Sequence, residues 1–255
     1  MNSVGGPSSS IPLVAHRGYA ARFPENTREA VTAAVDAGAT FVEFDVQLSA
    51  DKVPFLLHDE GFKRTAGVKL RILDVDAAQL AGINVGEPDR FGSAYSGVRV
   101  PRLSDIVDDL ARWESVTAFV ELKRQSIGYF GLKTVLDAVL PVLQPVIGRC
   151  VVISFDPEAV RQARRRTNCR IGWVLRASNA DSQLLATALA PDFLFCNVIH
   201  LPQPPAPLWQ GPWAWVVYEI TDPSEALELT ARGVGLIETM AYAELAAGLA
   251  EREAS

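Results

Sequence analysis

The chain has 255 residues, 49% of them hydrophobic, and this length suits one α/β barrel domain. Its 24 Lys and Arg residues against 30 Asp and Glu residues give a formal net charge of −6. No basic run forms the stripe that duplex binding requires, so we expect no nucleic acid partner. An anionic small molecule remains compatible with this charge, because a few Arg, Lys or metal charges can make one pocket locally positive.

The first ten residues lack the basic start and apolar core of a signal peptide, and we predict a flexible leader over 1–10. Residues 11–255 are then expected to form a single catalytic domain. No stretch reaches membrane-spanning length, so we expect a cytoplasmic protein without stable membrane insertion. Cys150, Cys169 and Cys196 are widely spaced beside apolar runs and are predicted to be reduced core residues. The sequence does not indicate an oligomeric state.

Short β-rich segments alternate with helix-compatible segments along the whole chain. There are eight of them, the number that a closed (β/α)8 TIM barrel needs. A doubly wound sheet shares this alternation, but no glycine-rich phosphate loop follows the first strand. The predicted strands are residues 11–15, 40–47, 116–122, 150–155, 170–175, 192–196, 214–220 and 234–239.

Helix boundaries agree with this alternation. Asn26 and Glu29 have the spacing of a capping box, and Gly38 suits the left-handed end of the helix that they begin. Asp156-Pro157 and Asp222-Pro223 each place a capping carboxylate before a proline, directly after a predicted strand.

One further apolar run, residues 53–57, follows the second strand after only four residues. That connection is too short for a parallel crossover and predicts a β-hairpin. The implied pairs are Leu48 with Val53, Asp45 with Leu56 and Glu43 with His58.

Residues 60–101 interrupt the barrel rhythm with Gly, Asp and short apolar segments, and we interpret them as an insertion near the barrel mouth. A connection of this length is uncommon without a role or structure of its own. Two interpretations are equally open, a lid over the site and a poorly ordered surface excursion.

Acidic side chains recur on one face of two predicted strands. Glu43 and Asp45 alternate with apolar residues that should pack on helices, and Glu121 and Lys123 repeat the pattern in a later strand. Buried carboxylates need cations, and oxygen ligands without a Cys or His cluster favour Mg²⁺ or Ca²⁺. For the first pair alone, an ion-pair network with Arg or Lys is an equal alternative, and Glu121 strengthens the metal interpretation.

Two of the three histidines, His16 and His58, end apolar strands, where barrel enzymes place catalytic groups. Histidine suits proton transfer near neutral pH, so both are candidate catalytic residues. His200 lies in a loop and is interpreted as structural.

An ordered set of short motifs resembles the glycerophosphodiester phosphodiesterase family. The motifs are His16-Arg17-Gly18, Pro24-Glu25-Asn26-Thr27, Glu43-Phe-Asp45, His58-Asp59, Arg64-Thr65, Pro101-Arg-Leu103, Glu121-Leu-Lys123 and Ser154-Phe155-Asp156-Pro157. None is specific alone, but together they cover the first half of the chain and continue into the second. The resemblance implies metal-dependent hydrolysis of glycerophosphodiesters to glycerol phosphate and an alcohol.

By this resemblance Glu43, Asp45 and Glu121 would hold the metal, His16 and His58 would serve as base and acid, and Arg17 and Lys123 would contact phosphate. Glu25 would lie near the metal, orient Arg17 or serve the helix start. The attacking group is either a hydroxyl of the substrate's glycerol, which gives a cyclic phosphate, or water.

The end of the chain departs from the family pattern. Tyr218-Glu219-Ile220-Thr221 stands where the family has a Trp-Thr-Val-Asn-like run, and residues 233–240 differ from the usual Gly-Val-Asp-Gly-Ile-Ile-Thr-Asp. Tyr218 and Glu219 are therefore candidate substrate residues, and Glu219 either favours a cationic alcohol such as choline or ethanolamine or pairs with an Arg. The tryptophans Trp173, Trp209, Trp213 and Trp215 are interpreted as packing residues.

Two alternatives to glycerophosphodiester hydrolysis stay open. Lysophospholipids would use the same chemistry and need an apolar entrance for an acyl chain. A barrel that binds phosphodiesters or a protein partner without turnover is the other, although such a protein would be expected to have lost at least one of the acids, histidines or cations.

Overall fold

A computed structural model describes residues 11–254 of the chain. The part of the chain predicted as a leader, 1–10, lies outside the described residues. Among the described residues, eight parallel strands close into a barrel through the pairing of the first strand with the second and the last, which confirms the TIM barrel. The strands are β1 Leu13–Ala15, β2 Phe41–Leu48, β3 Pro54–Leu56, β4 Thr117–Leu122, β5 Cys150–Ser154, β6 Arg170–Val174, β7 Phe193–Asn197, β8 Ala214–Tyr218 and β9 Leu236–Thr239, of which β3 is antiparallel to β2 and not part of the barrel wall.

Helices follow the strands and cover the outside of the barrel. The outward side chains of β2, Val42, Phe44 and Val46, are buried in the main hydrophobic cluster between sheet and helices. The helices are α1 Arg28–Asp36, α2 Lys63–Ala66, α3 Ala77–Leu80, α4 Pro88–Phe91, α5 Leu103–Arg112, α6 Arg124–Phe130, α7 Leu132–Leu143, α8 Pro157–Thr167, α9 Ala180–Leu189, α10 Pro223–Ala231 and α11 Tyr242–Glu253. None of these helices is long and apolar enough to cross a membrane.

A second hydrophobic cluster fills the lower interior of the barrel with inward side chains. Phe119 of β4 is its centre, with ring centroids 5.0 Å from Phe193 and 5.1 Å from Phe195, both in edge-to-face arrangement. This plug fills the interior below the carboxyl ends of the strands, and barrel enzymes place their sites at those ends.

Helix starts agree with the sequence in two cases and differ in a third. Asp156 and Asp222 cap α8 and α10 through their side chains, as predicted. The start of α1 is capped by Thr27, whose side chain accepts from the Ala30 amide, so the prediction that Asn26 caps this helix is wrong. Asn26 has a left-handed backbone (φ 54°) and turns its side chain towards the barrel instead.

The β2–β3 hairpin forms, but its predicted register is wrong by one residue. Leu48 pairs with Pro54 and Val46 pairs with Leu56. The predicted pairs of Asp45 with Leu56 and of Glu43 with His58 are therefore both wrong. The reason is the turn. The Lys52 amide donates to the Ser49 carbonyl and Lys52 is left-handed (φ 65°), which makes a three-residue loop closed by Ser49 and Val53, where a four-residue loop was assumed.

Residues 60–101 fold around a hydrophobic cluster of their own. Phe62, Ile72 and Leu80 are fully buried in it, together with Phe55 of β3. The segment contains α2, α3 and α4, and the interpretation as a poorly ordered excursion does not fit this packing. The three cysteines are free and buried, and the four tryptophans pack in or against the main cluster, as the sequence predicted.

Replacing Phe119 by Ala should destabilise the protein by about 3–5 kcal/mol, because it removes the ring that the other aromatic side chains of the plug contact. Denaturant unfolding measures the change. The control is Leu184→Ala, since Leu184 is 71% exposed on α9 and its truncation should change stability by no more than about 0.5 kcal/mol. Equal effects of the two substitutions would contradict the assignment of Phe119 to the interior plug.

Candidate active site

Two neighbouring strands bring the acidic residues predicted from the sequence together at the barrel mouth. Glu43 and Asp45 point inward from β2, and Glu121 points inward from β4, where Asp45 and Glu121 are register partners. One carboxylate oxygen of each lies within 4.8 Å of the others, and all three residues are buried. This is the only group of acidic, His or Cys side chains with metal-ligand spacing within residues 11–254.

Asp45 is the best compensated of the three acids. Asn26 donates from Nδ2 to Asp45 Oδ2 at 2.7 Å, and its Oδ1 accepts from the Asp45 amide at 2.9 Å. Lys123 Nζ lies 3.0 Å from Asp45 Oδ1, and Arg17 Nε lies 3.3 Å from Oδ2. Burial alone would raise the pKa of Asp45, but these two cations hold it well below its usual range, so Asp45 is ionised.

Glu43 and Glu121 are less well compensated. Burial and the neighbouring Asp45 carboxylate raise the pKa of Glu43 well above its usual range, and its carboxylate contacts the Arg17 amide at 3.0 Å and His16 Nε2 at 3.8 Å. Burial raises the pKa of Glu121 to about 7, although Lys123 Nζ lies 3.0 Å from its Oε1. The two acids therefore lack positive charge, which is the condition that a divalent cation on the three carboxylates would relieve.

The two candidate catalytic histidines line the same cavity. His16 is buried, its Nδ1 has no hydrogen-bond partner among the described residues, and burial together with Arg17 lowers its pKa to about 3. His58 is half-buried, with its Nδ1 2.8 Å from Asp59 Oδ1, and burial also lowers its pKa. Asp59 is an acceptor, so Nδ1 carries the proton of neutral His58 and Nε2 is the proton-accepting nitrogen.

Gln47 explains how His58 reaches the site although it lies beyond the end of β3. The Gln47 side chain is buried and donates to the carbonyls of Leu57, His58 and Asp59, which fixes the loop that carries the imidazole. The sequence placed Gln47 on the acidic face of β2 without assigning it a role.

A chain of ion pairs connects the second histidine to the first strand. Arg64 donates from Nε to Asp59 and binds both oxygens of Glu25 through its two terminal nitrogens, at 2.8 and 2.6 Å. Glu25 also accepts from Arg17 at 3.1 and 3.2 Å. Burial would raise the pKa of Glu25, but Arg64 and Arg17 lower it, so this carboxylate is ionised and orients Arg17.

The segment 60–101 supplies further support to this chain. Glu87 accepts from the Glu25 amide at 2.6 Å and is itself bound by Arg90 at 2.6 Å. Arg64 on α2 binds the Glu25 side chain, and Glu87 binds the Glu25 amide. The segment therefore contacts Glu25 at both its side chain and its backbone. Arg64 appeared in the sequence motifs, but nothing in the sequence pointed to Glu87.

The site residues surround a cavity of about 310 Å³. Its lining consists of His16, Arg17, Glu43, His58, Glu121, Lys123, Ile153, Phe155, Val174, Phe195, Tyr218, Glu219 and Glu238. Asp45 and Glu25 do not line it and act from behind Arg17 and Lys123. Tyr218 lies with its ring centroid 6.2 Å from that of His16, and Glu219 has a left-handed backbone (φ 71°) at the rim. An adjoining cavity of about 430 Å³ adds Arg124, Gln125 and Arg176.

Sequence reasoning missed one acid in this cavity. Glu238 of β9 is 2% exposed, and the apolar Leu236 two residues before it belongs to the interior plug, so strand alternation places both on the inner face. That alternation was the signal that could have identified Glu238. Sequence reasoning also did not identify Phe155 and Phe195 as an apolar wall of this cavity.

The profile of the "Glycerophosphoryl diester phosphodiesterase family" matches residues 16–200. Glycerophosphodiester phosphodiesterase 1 of Mus musculus is 29% identical over 160 residues, which are 62% of this chain and 47% of the relative. The chain thus spans about half the length of the mammalian relatives that it matches. A phosphodiesterase of Oleispira antarctica, solved in complex with the product sn-glycerol-3-phosphate, has a TM-score of 0.79 at 20% identity and covers 94% of this chain and 97% of its own.

A glycerophosphodiester phosphodiesterase of Agrobacterium tumefaciens has a TM-score of 0.73 at 22% identity, with 93% of this chain and 99% of that chain covered. At these identities the solved structures show the shared barrel fold. The profile match over more than half of the chain confirms the family resemblance seen in the motifs.

The contribution of Glu121 to the stability of the metal-free protein should fall as pH rises from about 5 to 8. It is measured as the difference between the wild type and Glu121→Gln, because His16 and His58, whose pKa values are lowered, change stability in the opposite direction over part of this range. The pKa of Glu121 in the folded protein is raised to about 7. The stability that its protonated form contributes is therefore fully present below the pKa of Glu in the unfolded chain and is lost as pH rises through the folded value. Glu121→Gln should remove this part of the decline, on the order of 1–3 kcal/mol. Thermal unfolding in EDTA at a series of pH values measures it, and an unchanged slope in the variant would contradict the uncompensated charge.

Proposed function

The chain belongs to the glycerophosphoryl diester phosphodiesterase family, and from that premise we propose that it hydrolyses glycerophosphodiesters to glycerol phosphate and an alcohol with Mg²⁺ or Ca²⁺. The observation that carries the proposal is that three buried acids with metal-ligand spacing lie beside one cavity, which two histidines and two cationic side chains line. We further propose that residues 11–255 form one catalytic domain in which 60–101 is an insertion. The cytoplasmic location expected from the sequence stays a prediction.

The donor set fits a hard divalent cation. Carboxylate oxygens are the ligands that Mg²⁺ and Ca²⁺ prefer, and Glu43 and Glu121 are the acids left short of positive charge. Bound to Glu43, Asp45 and Glu121, the cation would supply positive charge next to the phosphate oxygens. Nothing in the chemistry of three carboxylates selects between the two metals.

The chain's own residues account for the remaining requirements of diester cleavage. Arg17 and Lys123 line the cavity as cations and would bind the phosphate oxygens, where negative charge increases in the transition state. Glu25 and Asp45 hold these two side chains in place from behind. Preorganised cations of this kind need no rearrangement when the substrate binds.

Both histidines are neutral near pH 7 in the free site, because burial lowers the pKa of each. One imidazole takes the proton of the attacking oxygen, and the other, protonated beside the phosphate, returns a proton to the leaving alkoxide. Asp59 keeps the proton-accepting Nε2 of His58 available and stabilises its imidazolium form.

The adjoining cavity favours a deacylated diester over a lysophospholipid. An acyl chain needs an apolar entrance, and the residues that this second cavity adds, Arg124, Gln125 and Arg176, are polar or cationic. A barrel that only binds phosphodiesters would not need both neutral histidines beside the phosphate site.

The first test is release of glycerol phosphate from glycerophosphocholine and glycerophosphoethanolamine, with EDTA and with added Mg²⁺ or Ca²⁺. Glu43→Ala and His16→Ala should each lower kcat by about 10²–10⁴-fold, because one removes a metal ligand and the other a proton-transfer group. Glu114→Ala, on the exposed loop before β4 at the opposite end of the barrel, is the control. Metal-independent turnover, or full activity in both site variants, would refute the proposal.

A time course that follows cyclic glycerol phosphate separates the two candidate attacking groups. Its transient appearance indicates attack by the substrate's own hydroxyl, and its absence at every time point indicates attack by water.

Arg64→Ala should lower kcat/KM by about 10–100-fold, although Arg64 does not line the catalytic cavity, because Glu25 and Asp59 lose the side chain that connects them. Steady-state kinetics on glycerophosphocholine measures the loss. Arg64→Lys should recover little of it, since an ammonium cannot bind both oxygens of Glu25 while also reaching Asp59. Wild-type kinetics in both variants would show that the ion-pair chain has no role in the site.

A further inference from the structure

Glu238 is an acid that the proposed mechanism does not use. It follows Leu236 on the inner face of β9 and is register partner to Val14 of β1, so its carboxylate lies just above the apolar plug, at the floor of the cavity. Neither neighbour in the wall offers it a charge. Its Oε1 is buried and has no hydrogen-bond partner within residues 11–254.

The cations of the site are committed elsewhere. Arg17 is bound to Glu25 and Asp45, and Lys123 is bound to Asp45 and Glu121. None of the ion pairs of the described residues includes Glu238. Burial and the nearby Glu121 raise the pKa of Glu238 although Arg17 lowers it, so the surrounding residues disfavour its ionised form. A buried carboxylate in this position has one means of becoming well solvated, which is a ligand that brings a positive charge or hydrogen bonds.

The cavity that Glu238 lines is also lined by aromatic and apolar side chains. Tyr218 ends β8, the strand next to β9, and lines the same cavity, as do Phe195 of β7 and Phe155, which follows β5 on the facing wall. Aromatic faces attract cations, and they attract alkylated ammonium groups best because such groups lose little hydration on binding. A cavity lined by aromatic rings and one carboxylate without a cationic partner therefore matches an ammonium group more closely than it matches a second metal ion, which requires several oxygen ligands.

We propose that Glu238, with Phe155, Phe195 and Tyr218, forms the subsite for the alcohol part of the substrate and selects diesters whose alcohol carries an ammonium group, such as choline or ethanolamine. This inference rests on the proposed function and deepens it, because it assigns the substrate class to a residue of this chain. Glu238 is a specificity-determining residue and takes no part in proton transfer. Glu219 at the rim adds a second negative charge on the path to the subsite.

The charge of the site supports an ammonium group. With Glu238 ionised, the five acids Glu43, Asp45, Glu121, Glu219 and Glu238 oppose Arg17, Lys123 and one divalent cation, which leaves one net negative charge. A diester with a neutral alcohol then adds one unbalanced negative charge. A diester with an ammonium alcohol adds none, since its own positive charge balances its phosphate.

The wild-type protein with Mg²⁺ provides a test that does not depend on any variant folding. Choline and its uncharged isostere 3,3-dimethyl-1-butanol have the same shape, and their affinities are compared by isothermal titration calorimetry. We expect choline to bind at least about tenfold more tightly, because only choline brings a positive charge to Glu238. Equal affinities, or tighter binding of the uncharged alcohol, would overturn the proposal.

Glu238→Gln then identifies the residue responsible. It keeps the shape and hydrogen-bonding capacity of the side chain and removes the charge, so kcat/KM for glycerophosphocholine should fall at least about tenfold relative to glycerophosphoglycerol. Glu114→Gln, a loss of the same charge at the far end of the barrel, should leave the ratio unchanged. An equal loss on both substrates would assign Glu238 to the glycerol hydroxyls or to structure and overturn the subsite.

Failure of this inference is distinguishable from failure of the proposed function. If the wild type hydrolyses both diesters and Glu238→Gln leaves their ratio unchanged, the phosphodiesterase stands and the ammonium subsite falls. If no diester is hydrolysed with either metal, but choline still binds more tightly than its isostere and Glu238→Gln removes that preference, the cation subsite stands and the proposed activity falls.

Discussion

The burial of several carboxylates at one end of the barrel is the constraint on which the rest of the site depends. A carboxylate removed from water is tolerated only when cations or hydrogen-bond donors replace its hydration, and Asp45 obtains this from Asn26, Lys123 and Arg17. Lys123 also forms an ion pair with Glu121, and Arg17 forms one with Glu25. The charged side chains of the site therefore depend on one another. The shortfall is concentrated on Glu43 and Glu121, which is where a divalent cation would be bound most strongly.

The left-handed residues of the site follow from this constraint. Arg17 and Asn26 both have positive φ angles, a conformation that costs free energy in residues other than glycine. In Arg17 it allows the amide to donate to Glu43 while the guanidinium reaches Glu25 and Asp45. In Asn26 it allows one side chain to satisfy both the amide and the carboxylate of Asp45. Hydrogen bonds to buried charges offset the backbone cost at both positions.

Strand alternation predicted the barrel and the acids of its mouth because the period of two residues is a local property. The inward face of β2 and that of β4 could be identified from single residues and their neighbours, and the structure brings Glu43, Asp45 and Glu121 together. The hairpin register depended on one left-handed residue, Lys52, which no pattern of hydrophobic residues encodes. The Asn26 cap failed for a different reason, since its side chain is bound by a residue nineteen positions away.

Local sequence patterns could not predict the contacts that hold Glu25 in place. Arg64 and Glu25 are 39 residues apart, and Glu87 and Glu25 are 62 apart, so these contacts exist only once 60–101 has folded around its own hydrophobic cluster. The segment consequently serves the site through a packed core that holds Arg64 and Glu87 against the first loop. A lid is not required to explain why a barrel would retain so long a connection between its second and third parallel strands.

The interior of the barrel mouth is divided into two halves of different chemistry. β1, β2 and β4 contribute the acids, the cations and His16, whereas β5 to β7 contribute Ile153, Val174 and Phe195 to the same cavity. A phosphodiester is divided in the same way, into a charged phosphate and the groups that it esterifies. The phosphate is therefore attracted to the first half, and the less polar part of the substrate is directed to the second. Glu238 lies where the two halves meet, on β9 beside β1, so its carboxylate is placed to distinguish what the phosphate is attached to.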